Sequence, residues 1–279
     1  MRIGLCQLVS SPTKSENLEA GIQAIREAKR RGADVALLPE VYMAFLHPKD
    51  PRAAVEVAEP VDGPFVSALA AEARAQHLYV ACGLWETAPG ERERAFNTTV
   101  LLGPDGQLIL AYRKTHLYDA FGFRESDRIV AGSEPPDVVH TALGTFGLLV
   151  CYELRFPELT RRLALAGAEV LLLPAAWVAG PLKESHWATL IRARAIENTI
   201  FVAAANQTGN ISTGRSLLVD PMGVALVDGG EEPAVYVGDV DLARIARVRQ
   251  KLPVLQHRRE ALYTPPAAAD ARPAVGARR

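Results

Sequence analysis

The stretch LLVCYELRFPEL, residues 148 to 159, joins an apolar run to a charged one through Cys151. FGLLVC has the length and character of a buried strand, and FPELTRRLAL has helical spacing. Cys151 is therefore expected where a strand turns into a helix, near unpaired backbone N–H groups and the positive end of the helix dipole. Both favour thiolate over thiol, and so a nucleophile. Acyl chemistry also needs a base and a group to hold a developing oxyanion. ADVALL runs through Pro39 into Glu40, where desolvation would raise a carboxylate toward the range of a useful base. QLILAYRK ends on Lys114. Taken singly, Glu40 and Lys114 read as ordinary solvated residues at strand ends. Taken with Cys151, they are three functional groups that one rigid scaffold could bring to a common edge. Cys6 and Cys82 differ, because they fall inside IGLCQLV and VACGLW and read as small buried hydrophobes.

The elements that must position these residues are mostly short runs rich in Val, Leu and Ile. RIGLCQLV, ADVALLPE, LYVACGLWE, NTTVLLG, QLILAYRK, FGLLVCYE, AEVLLLPA, IFVAAANQ, RSLLVDP, GVALVDG and VYVGDVD all read as strands. Helical patterns lie between them. SENLEAGIQAIREAKRRG has Ser15 as its N-cap candidate, Leu18, Ile22 and Ile25 on one face, and Gly32 as a stop. PFVSALAAEARAQH, FPELTRRLALAG and ESHWATLIRARAIEN are the others. VLLGPDGQLILAY and LLVDPMGVALV join strand to strand through Pro and Gly, which predicts hairpins and hence mixed sheets. The expected class is α/β, with two mixed sheets packed on each other and helices outside: a four-layer α-β-β-α sandwich. A single doubly wound sheet is the runner-up, and it leaves the two hairpins awkwardly placed. One domain is expected over residues 1–264. The last stretch, residues 265–279, is rich in Ala, Pro and Arg without apolar periodicity and is expected to be a loosely held tail.

Composition narrows the function classes. The 279 residues are 49% hydrophobic and 23% charged, and the formal net charge is −1. That balance gives no basic field to collect nucleic acid or anionic lipid. The apolar stretch at the N-terminus is too short for a signal-peptide core or a membrane span, so a cytoplasmic protein is expected. The three cysteines are far apart, with no C-x-x-C, so neither a disulfide framework nor a thiolate metal site is expected.

LLPEVY, YRKTHLYD and CYELRFPEL together resemble the signature segments of the carbon-nitrogen hydrolase (nitrilase) superfamily, and the resemblance spans roughly residues 1 to 264. HLYDAFGFRES, SHWATLIRARAIEN and LPVLQHRREALY are similar to its Nit branch, the omega-amidase and deaminated-glutathione amidase group. The chain departs at Glu153, where the family usually has Asp. The resemblance implies an α-β-β-α fold, a homodimer or higher homo-oligomer, no cofactor and no metal. It also implies a Glu40, Lys114, Cys151 triad that hydrolyses a small non-peptide amide to an acid and ammonia through a thioester. Glu125 would assist, the backbone N–H of Tyr152 would complete an oxyanion hole, and Asn97 and Trp177 would line or support the pocket. Arg155, Arg192 and Arg215 are candidates to anchor a substrate carboxylate, while the spacing of Arg155 and Glu158 also suits structural ion pairs.

Three other readings remain open at this point, and a fourth is excluded. Nitrile or N-carbamoyl hydrolysis would use the same triad. A papain-like dyad would pair Cys151 with His116, two residues after Lys114. A cysteine phosphatase fails on spacing, since Arg155 follows Cys151 too closely and Pro157 interrupts. A homodimeric binding scaffold without catalysis is the alternative from another class.

Overall fold

The computed structural model describes residues 1–47 and 53–263. The tail expected from Pro265 lies outside them. Along the chain run β1 (Arg2–Gln7), α1 (Lys14–Arg30), β2 (Val35–Leu37), α2 (Pro64–Gln76), β3 (Tyr79–Thr87), β4 (Ala95–Leu102) and β5 (Leu108–Arg113). They are followed by β6 (Val138–Thr141), β7 (Gly144–Leu148), α3 (Pro157–Leu165), β8 (Val170–Ala175), α4 (Lys183–Asn198) and β9 (Phe201–Asn206). The last are β10 (Thr208–Gly209), β11 (Ser212–Thr213), β12 (Leu217–Val219), β13 (Ala225–Asp228), β14 (Ala234–Asp239) and α5 (Ala243–Lys251).

Two six-stranded sheets form, in the orders β14-β1-β2-β3-β4-β5 and β13-β12-β9-β8-β7-β6. In the first, β1, β2 and β3 are parallel and the outer pairings antiparallel. The second repeats that pattern around parallel β7, β8 and β9. The apolar residues divide into three layers, as a sandwich requires. Ile3, Leu5, Leu37 and Ala81 of one sheet meet Phe146, Leu172, Phe201 and Leu218 of the other. Cys6, Val80 and Val100 face Ile25, Leu69 and Ala73 of α1 and α2, while Leu171, Leu173 and Val202 face Leu163, Trp187 and Ile191 of α3 and α4. This is the expected α-β-β-α arrangement, and the doubly wound alternative is excluded.

Both expected hairpins are present. Gly106, at φ +80°, closes the β4–β5 turn, and Gly223, at φ +81°, closes the β12–β13 turn. Both torsions lie in the left-handed region that glycine adopts without strain. In the second turn the Asp220 carboxylate also accepts the N–H groups of Met222 and Val224.

Local expectations needed three corrections. Ser15 is not the cap of α1, because the helix already includes Lys14 and Thr13 occupies the cap position. The α-helix after Cys151 starts only at Pro157; residues Cys151–Arg155 form a 3-10 turn instead. Finally, β6, β10, β11 and α5 were not foreseen. β6 is a short edge strand without buried residues, and α5 buries only Ile245 and Val248 among basic residues, so neither has a strong apolar period.

Candidate active site

Glu40, Lys114 and Cys151 meet at one end of the sandwich, where their strands release the chain. Glu40 follows β2 in a turn that lies against β3. Gly83 makes that approach possible: a Cβ there would stand 2.5 Å from Val41 N and 2.6 Å from Glu40 Cα. Its N–H donates to Pro39 O at 3.0 Å. Lys114 extends β5 by one residue and is tied to β4 by its N–H, which donates to Asn97 O at 2.9 Å. Cys151 begins the 3-10 turn after β7 with φ +46°. A non-glycine residue held there is strained, and such strain gathers at functional sites.

The side chains converge tightly. Glu40 and Lys114 are 3% and 1% exposed, and their Oε1 and Nζ are 2.9 Å apart. Glu40 Oε1 also accepts Asn97 Nδ2 at 2.7 Å, and its Oε2 accepts the N–H of Ala176 at 2.8 Å. Gln207 Nε2 holds the Glu40 backbone carbonyl at 2.8 Å. Glu125 takes the other side of the lysine, with both carboxylate oxygens 2.8 Å from Nζ. Burial alone would lower the Lys114 pKa, but Glu125 and Glu40 outweigh it and hold the ammonium well above the ordinary lysine range. Burial raises the Glu125 pKa, which Lys114 offsets only in part.

Cys151 lines the same pocket as Glu40 and Lys114. Burial and the negative charge of Glu40 push the thiol pKa well up, against the pull of Lys114. The sequence expectation of a resting thiolate is therefore corrected. The dipole it relied on belongs to a helix that starts six residues later, and the Glu40 carboxylate outweighs the Lys114 ammonium at the sulfur. Cys6 and Cys82 are fully buried, and burial takes the Cys6 thiol up to about 12, as befits inert core residues.

A cavity of about 350 Å³ opens over the triad, within the range that suits a small ligand. Tyr152, Trp177 and Glu125 line it, and Asn97 stands behind Glu40 rather than in the wall. Among the arginine candidates only Arg155 reaches it. Arg192 is exposed, and half-buried Arg215 pairs with Asp228. The ion-pair reading of Arg155 at the helix start is also corrected, since among the described residues no carboxylate meets it and its guanidinium stacks on Trp177 at 4.6 Å. His116 is no partner of Cys151: its ring packs on Phe156 at 4.1 Å, with Nδ1 on Thr115 Oγ1.

The sequence did not point to Ala176, Tyr118, Lys183 or Gln207 as part of this site. All four line the pocket, the first through a backbone N–H that no side-chain pattern reveals. Nor did it show what Glu153 does. This fully buried carboxylate accepts Tyr112 Oη at 2.7 Å, Thr115 N and Oγ1 at 2.8 Å each, and Val150 N at 2.9 Å. It thus ties the segment after Lys114 to the residue before Cys151. Among the described residues no cluster of acidic, His or Cys side chains is arranged to hold a metal ion, and no helix is long and apolar enough to cross a membrane.

Comparison with known proteins agrees with this geometry. The family model for carbon-nitrogen hydrolases matches residues 2–250. The chain is 36% identical to a deaminated glutathione amidase of Escherichia coli O157:H7, covering 95% of this chain and 99% of that one. It is 38% identical to the deaminated glutathione amidase of Rattus norvegicus, over 94% and 83% of the two chains. A solved variant of the amidase from Nesterenkonia sp. AN1, described as carrying the acetamide moiety of fluoroacetamide on its active-site cysteine, superposes with TM-score 0.79 at 31% identity, over 94% and 95% of the chains. A match that runs through nearly every strand of both sheets, joined to likeness in fold and in sequence, means that the chain belongs to the carbon-nitrogen hydrolase family.

Proposed function

We propose that this protein is an amidase that hydrolyses a small non-peptide amide to a carboxylic acid and ammonia, with Cys151 as nucleophile, Glu40 as general base and Lys114 as the cationic donor. One observation carries the reading: Glu40, Lys114 and Cys151 line one pocket, with Glu40 Oε1 2.9 Å from the Lys114 ammonium. The thiol is protonated at rest, so attack on the amide carbonyl is coupled to proton transfer from Sγ to Glu40. The oxygen of the tetrahedral adduct is met by Lys114 Nζ and by the Tyr152 N–H at the start of the 3-10 turn. Glu40 then gives its proton to the departing nitrogen, which leaves as ammonia, and the thioester remains. Water enters, loses a proton to Glu40 and attacks the thioester carbonyl; the acid leaves and the proton returns to sulfur.

Glu125 keeps Lys114 charged and aimed, and Asn97 keeps Glu40 Oε1 from swinging toward solvent. Arg155 supports an acidic substrate, since its cation faces the pocket unpaired. The names of the relatives point the same way, toward amides that carry carboxylates. Exposed Leu165 of α3, Ile196 of α4, and Met222 and Val224 of the β12–β13 turn support a homodimer packed through this helical side. Sedimentation of the purified chain at twice the monomer mass is the expected result. Ammonia release from a panel of small carboxylated amides, simple aliphatic amides and nitriles tests the activity. Wild type should release ammonia from amides and Cys151→Ala should not; equal release from both would overturn the reading.

A further inference from the structure

The pocket wall holds a second cation that the triad does not use. Lys183 is the first residue of α4 and only 5% exposed. Its ammonium donates to Tyr118 Oη at 2.6 Å and lies over the rings of Phe121, Tyr118 and Trp177 at 4.0, 4.8 and 5.8 Å. The same Trp177 ring carries the Arg155 guanidinium, whose Nε and Nη2 are buried without a hydrogen-bond partner. Neither cation takes part in any ion pair among the described residues.

That arrangement is costly for a residue that merely packs. Burying an ion without a counter-ion is costly, and the quadrupoles of the rings offset only part of that cost. A methionine would fill the same aromatic cage with no charge to desolvate. An ammonium has three N–H donors, and only the bond to Tyr118 is made. Burial and the neighbouring Arg155 push the Lys183 pKa below the usual lysine range, the direction expected of a cation that lacks its anion. Both cations line the cavity that holds Cys151. The rings hold the cations in place while leaving N–H groups free, and a carboxylate between them would satisfy both.

We propose that Lys183 is a specificity-determining residue, which together with Arg155 forms a subsite for the carboxylate at the non-reacting end of the amide. The inference rests on the amidase reading and adds Lys183 to the residues that choose its substrate. Lys183 acts in binding, so its removal raises KM for the acidic amide far more than it lowers kcat.

The test uses wild type, Lys183→Met and Lys183→Arg, each with the monoamide of glutaric acid and with an isosteric amide in which an isopropyl group replaces the carboxylate. Binding of glutarate itself is followed by calorimetry in the same proteins, and Lys183→Gln replaces the Met variant if that one does not fold. For Lys183→Met the loss in kcat/KM on the acidic amide should exceed that on the neutral one by about 10–100-fold, the worth of a charge-assisted hydrogen bond. Glutarate should weaken by a similar factor, and Lys183→Arg should recover part of the preference. Equal losses on both amides, with glutarate binding unchanged, would overturn the role of Lys183 and leave the amidase reading standing. Glutarate binding that depends on Lys183, in a protein that releases ammonia from no amide, would uphold the subsite and overturn the amidase reading.

Discussion

Lys114 is held by two carboxylates, and this sets the balance of the site. Burial and the Glu40 carboxylate keep the proton on the Cys151 sulfur until a carbonyl arrives, against the pull of Lys114. Lys114→Ala removes the cation that meets the oxyanion and should cost about 10²–10³ in kcat. Glu40→Gln keeps the shape but cannot take the thiol proton, so kcat should fall by about 10²–10⁴ while the protein still folds, as read by initial rates and far-UV circular dichroism. Glu153 is a buried carboxylate with a structural task. Burial would raise its pKa, but hydrogen bonds from His116, Tyr112 and the N–H groups of Thr115 and Val150 hold it below the ordinary range. A depressed pKa stabilises the fold above the unfolded-state value, near pH 4.3, and that contribution is lost as pH falls through the folded-state value. In Glu153→Gln the amide NH₂ would confront the Val150 N–H, at a cost of about 2–4 kcal/mol. Thermal unfolding against pH should show the variant melting lower at neutral pH, with a shallower decline than wild type on going into acid.

The strand ends are the elements that make the site. Cys151, Glu40 and Lys114 were legible because each follows an apolar run that a strand must bury, and a strand end fixes the next residue in space. Glu125 was legible only by resemblance, since it sits in a loop and reaches Lys114 by tertiary folding. Lys183 looked like any first-turn lysine, and nothing in PLKES says that three rings surround it. The protonated thiol was misread for a related reason: sequence can suggest a helix after Cys151 but cannot show that burial and the Glu40 charge act on its sulfur. Gly83 tests how closely the elements must approach. In Gly83→Ala the new methyl group meets the backbone of the Glu40 turn, which cannot give as a side-chain tip would. A stability loss of about 1–3 kcal/mol is expected in urea unfolding. A drop in kcat of about 10²-fold should accompany it, since small misplacements of a reacting group are that costly. Loss of stability with kcat intact would mean that the Glu40 turn does not depend on this contact.

At the scale of the whole molecule, two sheets of the same pairing pattern share one apolar interior and present their strand ends to a common pocket. That interior was readable from composition and from the two Pro-Gly hairpins, which a single doubly wound sheet could not place. The pairing of the edge strand β6 and the docking of α5 were not, because tertiary contacts and not local periodicity hold them. Phe201, 1% exposed between the sheets, should cost about 3–5 kcal/mol when changed to Ala, lowering the urea midpoint without altering which amide is preferred. The account stands on a covalent acyl group at Cys151. The most direct test mixes the enzyme with excess carboxylated amide, quenches in acid within the first turnover and measures ammonia together with the intact protein mass. The account predicts one ammonia released for each enzyme acylated, and a mass gain equal to the amide minus ammonia that maps to the peptide containing Cys151. Ammonia released at full rate with no adduct, or in Cys151→Ala, would contradict it.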